Sequence, residues 1–217
     1  MSDFSSIDHI KIPEPALRRL PWYLAYAQLA KTQGEVFLSS TQIAKDLAVD
    51  ASQVAKDLSY VNISGKTRVG YDTGLLINVL EDFLGFTKTH NAFIFGIGNL
   101  GGALIQDNGL AQYGLKICAG FDIKYELSGT RINQIPIHHI DRFFELRKQT
   151  KTNIGILTVP VNNAQSVAEL MIEGGIKAIW NFTPFRIRVP ENIIVQNTSI
   201  YAHLALMFNR LHSTINE

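Results

Sequence analysis

Residues 92–102 read AFIFGIGNLGG, and this stretch decides the fold. Ala92–Gly96 forms a short apolar strand. It runs straight into Gly96–Ile97–Gly98–Asn99–Leu100–Gly101, a G-x-G-x-x-G, and then into the helix-forming Gly102–Ala103–Leu104–Ile105. The motif alone is weak; a strand before it, a helix after it and an acid beyond it make it a dinucleotide-binding fingerprint. Gly96 allows the tight turn, Gly98 lets the backbone approach a pyrophosphate, and Gly101 lets helix and strand pack closely. The helix start then offers unpaired N–H groups and a positive dipole end to the phosphates. Gly96, Ile97, Gly98, Asn99, Leu100 and Gly101 are therefore the expected pyrophosphate cradle.

The acid is Asp122, 21 residues past Gly101, at the end of the apolar run Ile117–Asp122. A carboxylate there accepts hydrogen bonds from the adenosine ribose and repels a 2′-phosphate. NADH and NAD+ are the expected cofactors. Further along, a strand over Ile154–Val159 precedes Pro160, and a helix over Ala164–Ile172 closes at Gly174–Gly175. A last core strand, Ala178–Phe182, leads into Thr183–Pro184. Strands alternating with helices predict a parallel sheet with crossover helices. Ligands of such sheets bind beyond the carboxyl ends of the strands. Thr158, Asn181 and Thr183 are thus candidates to hydrogen-bond the cofactor, and Val159 and Pro160 to pack on its nicotinamide or ribose. Thr and Asn at strand ends are also ordinary turn formers, so both roles stay open for those three polar residues.

Upstream of a hinge near Gly85–His90 the chain reads as helical. Pro21 suits the first turn of a helix that carries Trp22, Leu24, Tyr26 and Leu29 and stops near Gly34. Ser39 and Gln42 have capping-box spacing ahead of Ile43, Ala44 and Leu47. After the turn Ala48–Asp50, Asp50 is the expected cap of a third helix with Val54, Leu58 and Val61 on one face. Two short helices on a tight turn make a helix-turn-helix. Ile63–Tyr71, with Gly65 and Gly70 around Lys66 and Arg68, reads as a two-stranded wing. Leu75, Leu76, Val79, Leu80 and Phe83 form a closing amphipathic helix. The third helix could enter a major groove with Ser52, Gln53 and Lys56 exposed, while Lys66 and Arg68 reach phosphates or the minor groove. The same pattern also fits a small helical module that docks a protein.

At 217 residues, with 46% hydrophobic and 18% charged residues, the chain is ordinary for a globular protein. No apolar run approaches the roughly 20 residues of a membrane span, and MSDFSSIDHI at the start lacks a signal-peptide pattern, so a cytoplasmic protein is expected. Cys118 is the single cysteine, expected in the core; it excludes an internal disulfide and a cysteine-only zinc site. Up to residue 86 there are 8 basic and 10 acidic residues, net −2, and after it 12 and 9, net +3. That is not the bulk basic balance of many DNA-binding domains. Locally, however, no acid falls between Asp57 and Asp72, where Lys66 and Arg68 lie, and Lys56 stands beside that gap.

Neither a catalytic apparatus nor a metal site is expected. No H-E-x-x-H, G-x-S-x-G or Walker A occurs, and His138 and His139 read as loop histidines. The Rossmann unit uses nearly all the residues after the hinge, so no substrate domain is left. A cofactor site without catalytic groups suggests that the nucleotide is a signal. The rival readings are a small NAD(H)-dependent oxidoreductase and a nucleotide-binding regulator that docks a protein partner. A terminal helix, Ser199–Leu211, carries an apolar stripe of Ile200, Leu204, Met207 and Leu211, widened by Tyr201, Ala205 and Phe208; a second subunit is its expected cover.

Five segments in order, VDASQVAKDLSY (Val49–Tyr60), GKTRVGY (Gly65–Tyr71), GIGNLG (Gly96–Gly101), LTVP with AQ (Leu157–Pro160, Ala164–Gln165) and NFTP (Asn181–Pro184), resemble the Rex family of redox-sensing transcriptional repressors. The likeness runs from about Ile12 to Leu211. It implies an α/β chain with an N-terminal winged helix-turn-helix over 1–86, a Rossmann parallel-sheet domain over 87–198 and a domain-swapped C-terminal helix over 199–217. It implies a homodimer that binds double-stranded operator DNA when NADH is low and releases it when NADH binds, with NAD+ competing. The DNA-contacting residues expected from the two readings together are Ser40, Ser52, Gln53, Lys56, Tyr60, Lys66 and Arg68. This sequence departs from the family pattern at Ala55, where a second basic residue is usual, and at Asn62 and Arg68, where glycines are usual. Asp107 and Ser199 replace a tyrosine and an aspartate that in many members couple NADH to domain rotation.

Overall fold

The computed structural model describes residues 12–215, so the opening MSDFSSIDHI lies outside the described residues. The chain divides into two compact units, residues 1–88 and 89–217.

In the first unit, α1 (Glu14–Thr32) is followed by β1 (Phe37–Leu38), α2 (Ser40–Leu47), α3 (Ala51–Ser59), β2 (Tyr71–Asp72) and α4 (Thr73–Phe83). Helix α1 begins earlier than the proline signal suggests. Its N-terminal proline is Pro15, whereas Pro21 lies inside a continuous helix. Burial of Leu20, Tyr23, Leu24, Ala27 and Ala30 on one face outweighs the hydrogen bond that Pro21 removes. Ser39 caps α2 in a full capping box with Gln42. Asp50 occupies the N-cap of α3, but its side chain accepts no capping bond; the turn holds through the Val54 N–H on the Asp50 carbonyl (3.0 Å). One core joins Leu20, Tyr23 and Leu24 of α1 to Ile43, Val54, Leu58, Leu76 and Leu80.

The wing is smaller than expected. Within Ile63–Tyr71 the pairing is a single bridge, Lys66 with Gly70, closed by reciprocal N–H···O bonds of 2.8 and 2.9 Å. The two-stranded sheet instead pairs β1 with β2, antiparallel. Gly70 stands at φ +101° against Leu38, where a Cβ would meet backbone. That close approach lets the tip fold back onto β1 and shortens the hairpin. Asn62 (φ +57°) and Arg68 (φ +65°) take the left-handed conformation, so the backbone keeps a glycine-type shape where side chains now stand.

The second unit runs β3 (His90–Phe95), α5 (Asn99–Gln106), α6 (Gly109–Gln112), β4 (Leu115–Asp122), β5 (Arg131–Ile132), β6 (Ile135–His139), α7 (Phe143–Thr150), β7 (Ile154–Leu157), α8 (Ala164–Glu173), β8 (Ala178–Asn181), β9 (Ile194–Asn197) and α9 (Ile200–Ile215). The sheet order is β5-β6-β4-β3-β7-β8-β9. Every pair from β6 to β9 is parallel, and β5 joins the edge antiparallel. The central strand β3 is Ala92, Phe93, Ile94 and Phe95 in a continuous buried run, as a strand covered on both faces must be. Phe93, Phe95, Phe121 and Phe143 cluster on one side, with Phe95 and Phe121 rings stacked at 5.2 Å. Ala92, Ile94, Ile105, Ile117 and Ile137 fill the other. Cys118 is half-buried rather than core, and burial pushes its thiol up. Helix α9 has no buried residue.

Candidate functional site

The chain leaves β3 for β4 on one side and reaches β7 on the other, so a crevice opens at the carboxyl ends of these three strands. Its volume is about 740 Å³, within the usual range for a ligand cleft. Its floor is Gly96, Ile97 and Gly98 from the β3 turn, Asp122 from β4, and Thr158, Val159 and Pro160 from β7.

Each glycine does something different. Gly96 sits at φ +95°, and a Cβ there would stand 2.9 Å from the Thr158 carbonyl and from Val159 Cγ1. Gly101 is packed so that a Cβ would overlap the Gly96 carbonyl oxygen. Gly98 has nothing within 4 Å of where a Cβ would be; its freedom faces the cleft. It is also the N-cap of α5, with no side chain to cap it, so the first N–H groups of α5 are left for a ligand. Asn99 and Leu100 open that helix and Gly101 lies under the turn; none of the three lines the cleft wall.

Asp122 braces the turn as well as facing the cleft. Oδ2 accepts the Ile97 N–H at 2.7 Å and Oδ1 accepts the Lys124 N–H at 3.0 Å. Each carboxylate oxygen keeps a second acceptor position, enough for a ribose diol. The Thr158 hydroxyl lies 2.9 and 2.8 Å from the Phe95 and Gly96 carbonyls, which share its one proton; this pins β7 to the glycine turn and leaves its oxygen as an acceptor. Asn181 and Thr183 are buried and outside the cleft lining. Asn181 Nδ2 donates to the Phe185 carbonyl and to Asn197 Oδ1, both at 2.8 Å, and Asn181 Oδ1 accepts the Thr183 hydroxyl at 2.8 Å. They tie β8 to β9 and to the following loop.

Residues not named above as cofactor contacts also line the cleft, among them Lys124, Asn163, Ser166, Pro184 and Tyr201. Lys124 lies two residues past Asp122, and Pro184 closes the NFTP segment. Asn163 and Ser166 lie at the start of α8, where Ser166 donates to the Asn163 carbonyl at 3.1 Å. Tyr201 comes from the first turn of α9, where the sequence marks it only as part of an apolar stripe. The two histidines stand outside the lining. His139 stacks on Tyr125 at 3.9 Å and pairs through Nδ1 with Asp141 at 2.9 Å. His138 lies against Phe121, and burial holds its imidazole below the ordinary value, aided by Arg142. Among the described residues no group of three or more His, Cys, Asp or Glu could hold a metal, and no helix is long and apolar enough to cross a membrane.

In the first unit, Ser52 and Lys56 are exposed on α3, Ser40 opens α2, and Tyr60 is the half-buried C-cap of α3. Lys66 and Arg68 are exposed on the hairpin tip, with Lys66 Nζ 5.9 Å from the Phe37 ring centroid. Gln53 is half-buried, and its amide nitrogen donates to Asp57 at 2.7 Å.

A family model for a CoA binding domain matches residues 87–185, and one for a putative DNA-binding protein N-terminus matches residues 11–59. The chain is 62% identical over 206 residues to the redox-sensing transcriptional repressor Rex of Bacteroides thetaiotaomicron, covering 95% of this chain and 94% of that one. The solved structure of RSP, in complex with β-NAD+ and operator DNA, aligns with a TM-score of 0.89 at 32% identity over 94% of each chain. RSP in complex with β-NADH aligns at 0.85.

Proposed function

The chain belongs to the Rex family of redox-sensing transcriptional repressors, and from that premise we propose how its own residues serve an NADH-controlled DNA switch. The observation that carries the reading is that one chain holds a Rossmann cleft built around Asp122 and Gly96 and a helix-turn-helix unit with a basic tip. NADH and NAD+ supply no group chemistry here; they are bound and sensed. Gly96, Gly98 and the start of α5 at Asn99, Leu100 and Gly101 hold the pyrophosphate, and Asp122 holds the adenosine ribose while bracing the Ile97 N–H. Val159 and Pro160 pack on the nicotinamide side. Asn181 and Thr183 act at one remove, by fixing the loop that carries Pro184.

Ser52 and Lys56 of α3 face the operator bases, with Ser40, Tyr60, Lys66 and Arg68 on the phosphates and the adjoining groove. The apolar stripe of α9 is covered by a second copy, which makes the repressor a homodimer with a swapped helix. NADH must bind the DNA-incompetent dimer more tightly than the DNA-competent one, because a ligand with equal affinity for both shifts nothing. The tyrosine and aspartate that the resemblance implies for many members are Asp107 and Ser199 here. Asp107 Oδ1 accepts the Gly109 N–H at 2.9 Å and Ser199 Oγ accepts the Ala202 N–H at 3.2 Å, so both side chains serve local caps. We assign the protein to the cytoplasm and read the bound nucleotide as a signal rather than a reagent, a reading supported by its likeness to transcriptional repressors.

The experiment is binding to a labelled palindromic operator at fixed salt while NADH and then NAD+ are titrated. Release by NADH at a much lower concentration than by NAD+ is the expected result. Operator binding indifferent to both nucleotides would remove the redox switch, and steady NADH oxidation with a candidate substrate would restore the oxidoreductase reading.

A further inference from the structure

Helix α3 carries a carboxylate with no exposure at all. Asp57 is 0% exposed and receives four hydrogen bonds. Arg19 gives two, Nε to Oδ2 at 2.6 Å and Nη2 to Oδ1 at 2.9 Å. The Tyr23 hydroxyl donates to Oδ2 at 2.8 Å, and Gln53 Nε2 to Oδ1 at 2.7 Å. Arg19 and Tyr23 belong to α1, and Gln53 lies one turn before Asp57 on α3 itself.

A buried charge is costly unless it is paired and fully hydrogen-bonded, and this one is. Around it, α1 and α3 meet through Leu20, Tyr23, Leu24, Val54 and Leu58. Apolar contacts are non-directional and tolerate a small rotation of one helix on another. A guanidinium–carboxylate fork does not, because its two bonds fix distance and angle together. The carboxylate can only accept, so it also dictates which end of the Gln53 amide faces inward. The exposed positions of α3 that remain are Ser52, Ala55, Lys56 and Ser59.

We infer that Asp57, with Arg19 and Gln53, is a positioning cluster that fixes the rotation of α3 about its axis, presents Ser52, Ala55, Lys56 and Ser59 to the base edges in one register, and uses Gln53 as a strut rather than a base reader. The inference rests on the operator-binding reading of this unit. Base contacts need that register, whereas phosphate contacts carry no sequence information.

The test is the ratio of affinities for an operator duplex, selected from a random pool by the unaltered chain, and for a random-sequence duplex of equal length at one salt concentration. Arg19→Lys keeps the charge and loses the fork; Gln53→Met keeps the length and loses the amide. Both are expected to lower the ratio about tenfold, the loss of roughly one good base contact, with random-duplex affinity and salt slope unchanged. The preferred base at every operator position should stay the same. A circular-dichroism melt checks that each variant is folded at the assay temperature; if Arg19→Lys is not, Gln53→Met decides alone, because it leaves the ion pair in place. An unchanged ratio overturns the inference, and so does a new base preference at a single position in Gln53→Met, which would make Gln53 a reader. Failure of the unaltered chain to bind any duplex removes the operator reading itself, and this inference with it.

Discussion

Gly98 and Gly101 are three residues apart and fail for different reasons when given a side chain. A Cβ on Gly101 meets the Gly96 carbonyl, which is backbone and cannot swing aside. Gly101→Ala is expected to lower the melting temperature of the free protein and to weaken NADH at least tenfold by calorimetry. A Cβ on Gly98 meets nothing within 4 Å, so Gly98→Ala should leave the free protein's melt unchanged and still weaken NADH. Equal melting losses in the two variants would contradict this division. Asp57 gives a pH prediction. Burial works against its charge, but the hydrogen bonds from Arg19, Tyr23 and Gln53 prevail and hold its carboxyl below the usual range. A depressed folded value stabilises above the unfolded value, about 4, and that stability is lost as pH falls through the folded value. Melts should therefore fall off in acid more steeply for the unaltered chain than for Asp57→Asn, and parallel curves would show that Asp57 does not set the acid limit. Tyr23, buried beside that carboxylate, has its phenol pushed up to about 12 and stays a donor throughout.

At the scale of elements, the hairpin tip trades stability for charge. Arg68 holds φ +65°, a conformation that costs an ordinary residue about 1–2 kcal/mol. Arg68→Gly should relieve part of that, raise the melting temperature slightly, and flatten the salt dependence of DNA binding by about one unit of slope. A steeper or unchanged salt slope would place Arg68 away from the phosphates. Helix α9 poses the opposite case. Ile200, Tyr201, Leu206, Met207, Phe208, Leu211 and Ile215 are each at least half exposed in the single chain, more apolar surface than a monomer usually leaves bare. Met207→Glu with Leu211→Lys is expected to yield a folded monomer by sedimentation; a dimer of unchanged stability would mean that other surfaces hold the two copies together.

For the whole molecule, DNA affinity and cofactor affinity are linked quantities. If NADH lowers operator affinity by some factor, operator must lower NADH affinity by the same factor. Calorimetric NADH titration with and without saturating operator duplex checks this. Identical NADH affinities in the two titrations would show that the cleft and the helix-turn-helix do not communicate through binding, even though each works alone. Asp107 and Ser199 make the measurement informative, because both are occupied with their own backbone neighbours at the two positions where the family resemblance implies a coupling pair.

The strand leading into the glycine turn, the turn itself, Asp122 at the end of β4, the capping box at Ser39 and the apolar character of α9 were legible in the sequence because each is a local matter. Periodicity, backbone freedom and caps act within a few residues. What the sequence could not decide depends on neighbours far along the chain. Asn181 reads as a ligand-facing strand end, but Asn197, 16 residues on, turns it into a buried tie between β8 and β9. Pro21 reads as a helix start, but the core beneath Leu20, Tyr23 and Leu24 carries α1 straight through it. Gln53 reads as an exposed contact, but Arg19 and Asp57, 38 residues apart, draw it inward. Local sequence determined which elements form and where the backbone can turn; packing and paired buried charge, which exist only once distant segments meet, decided which polar side chains remain free to bind.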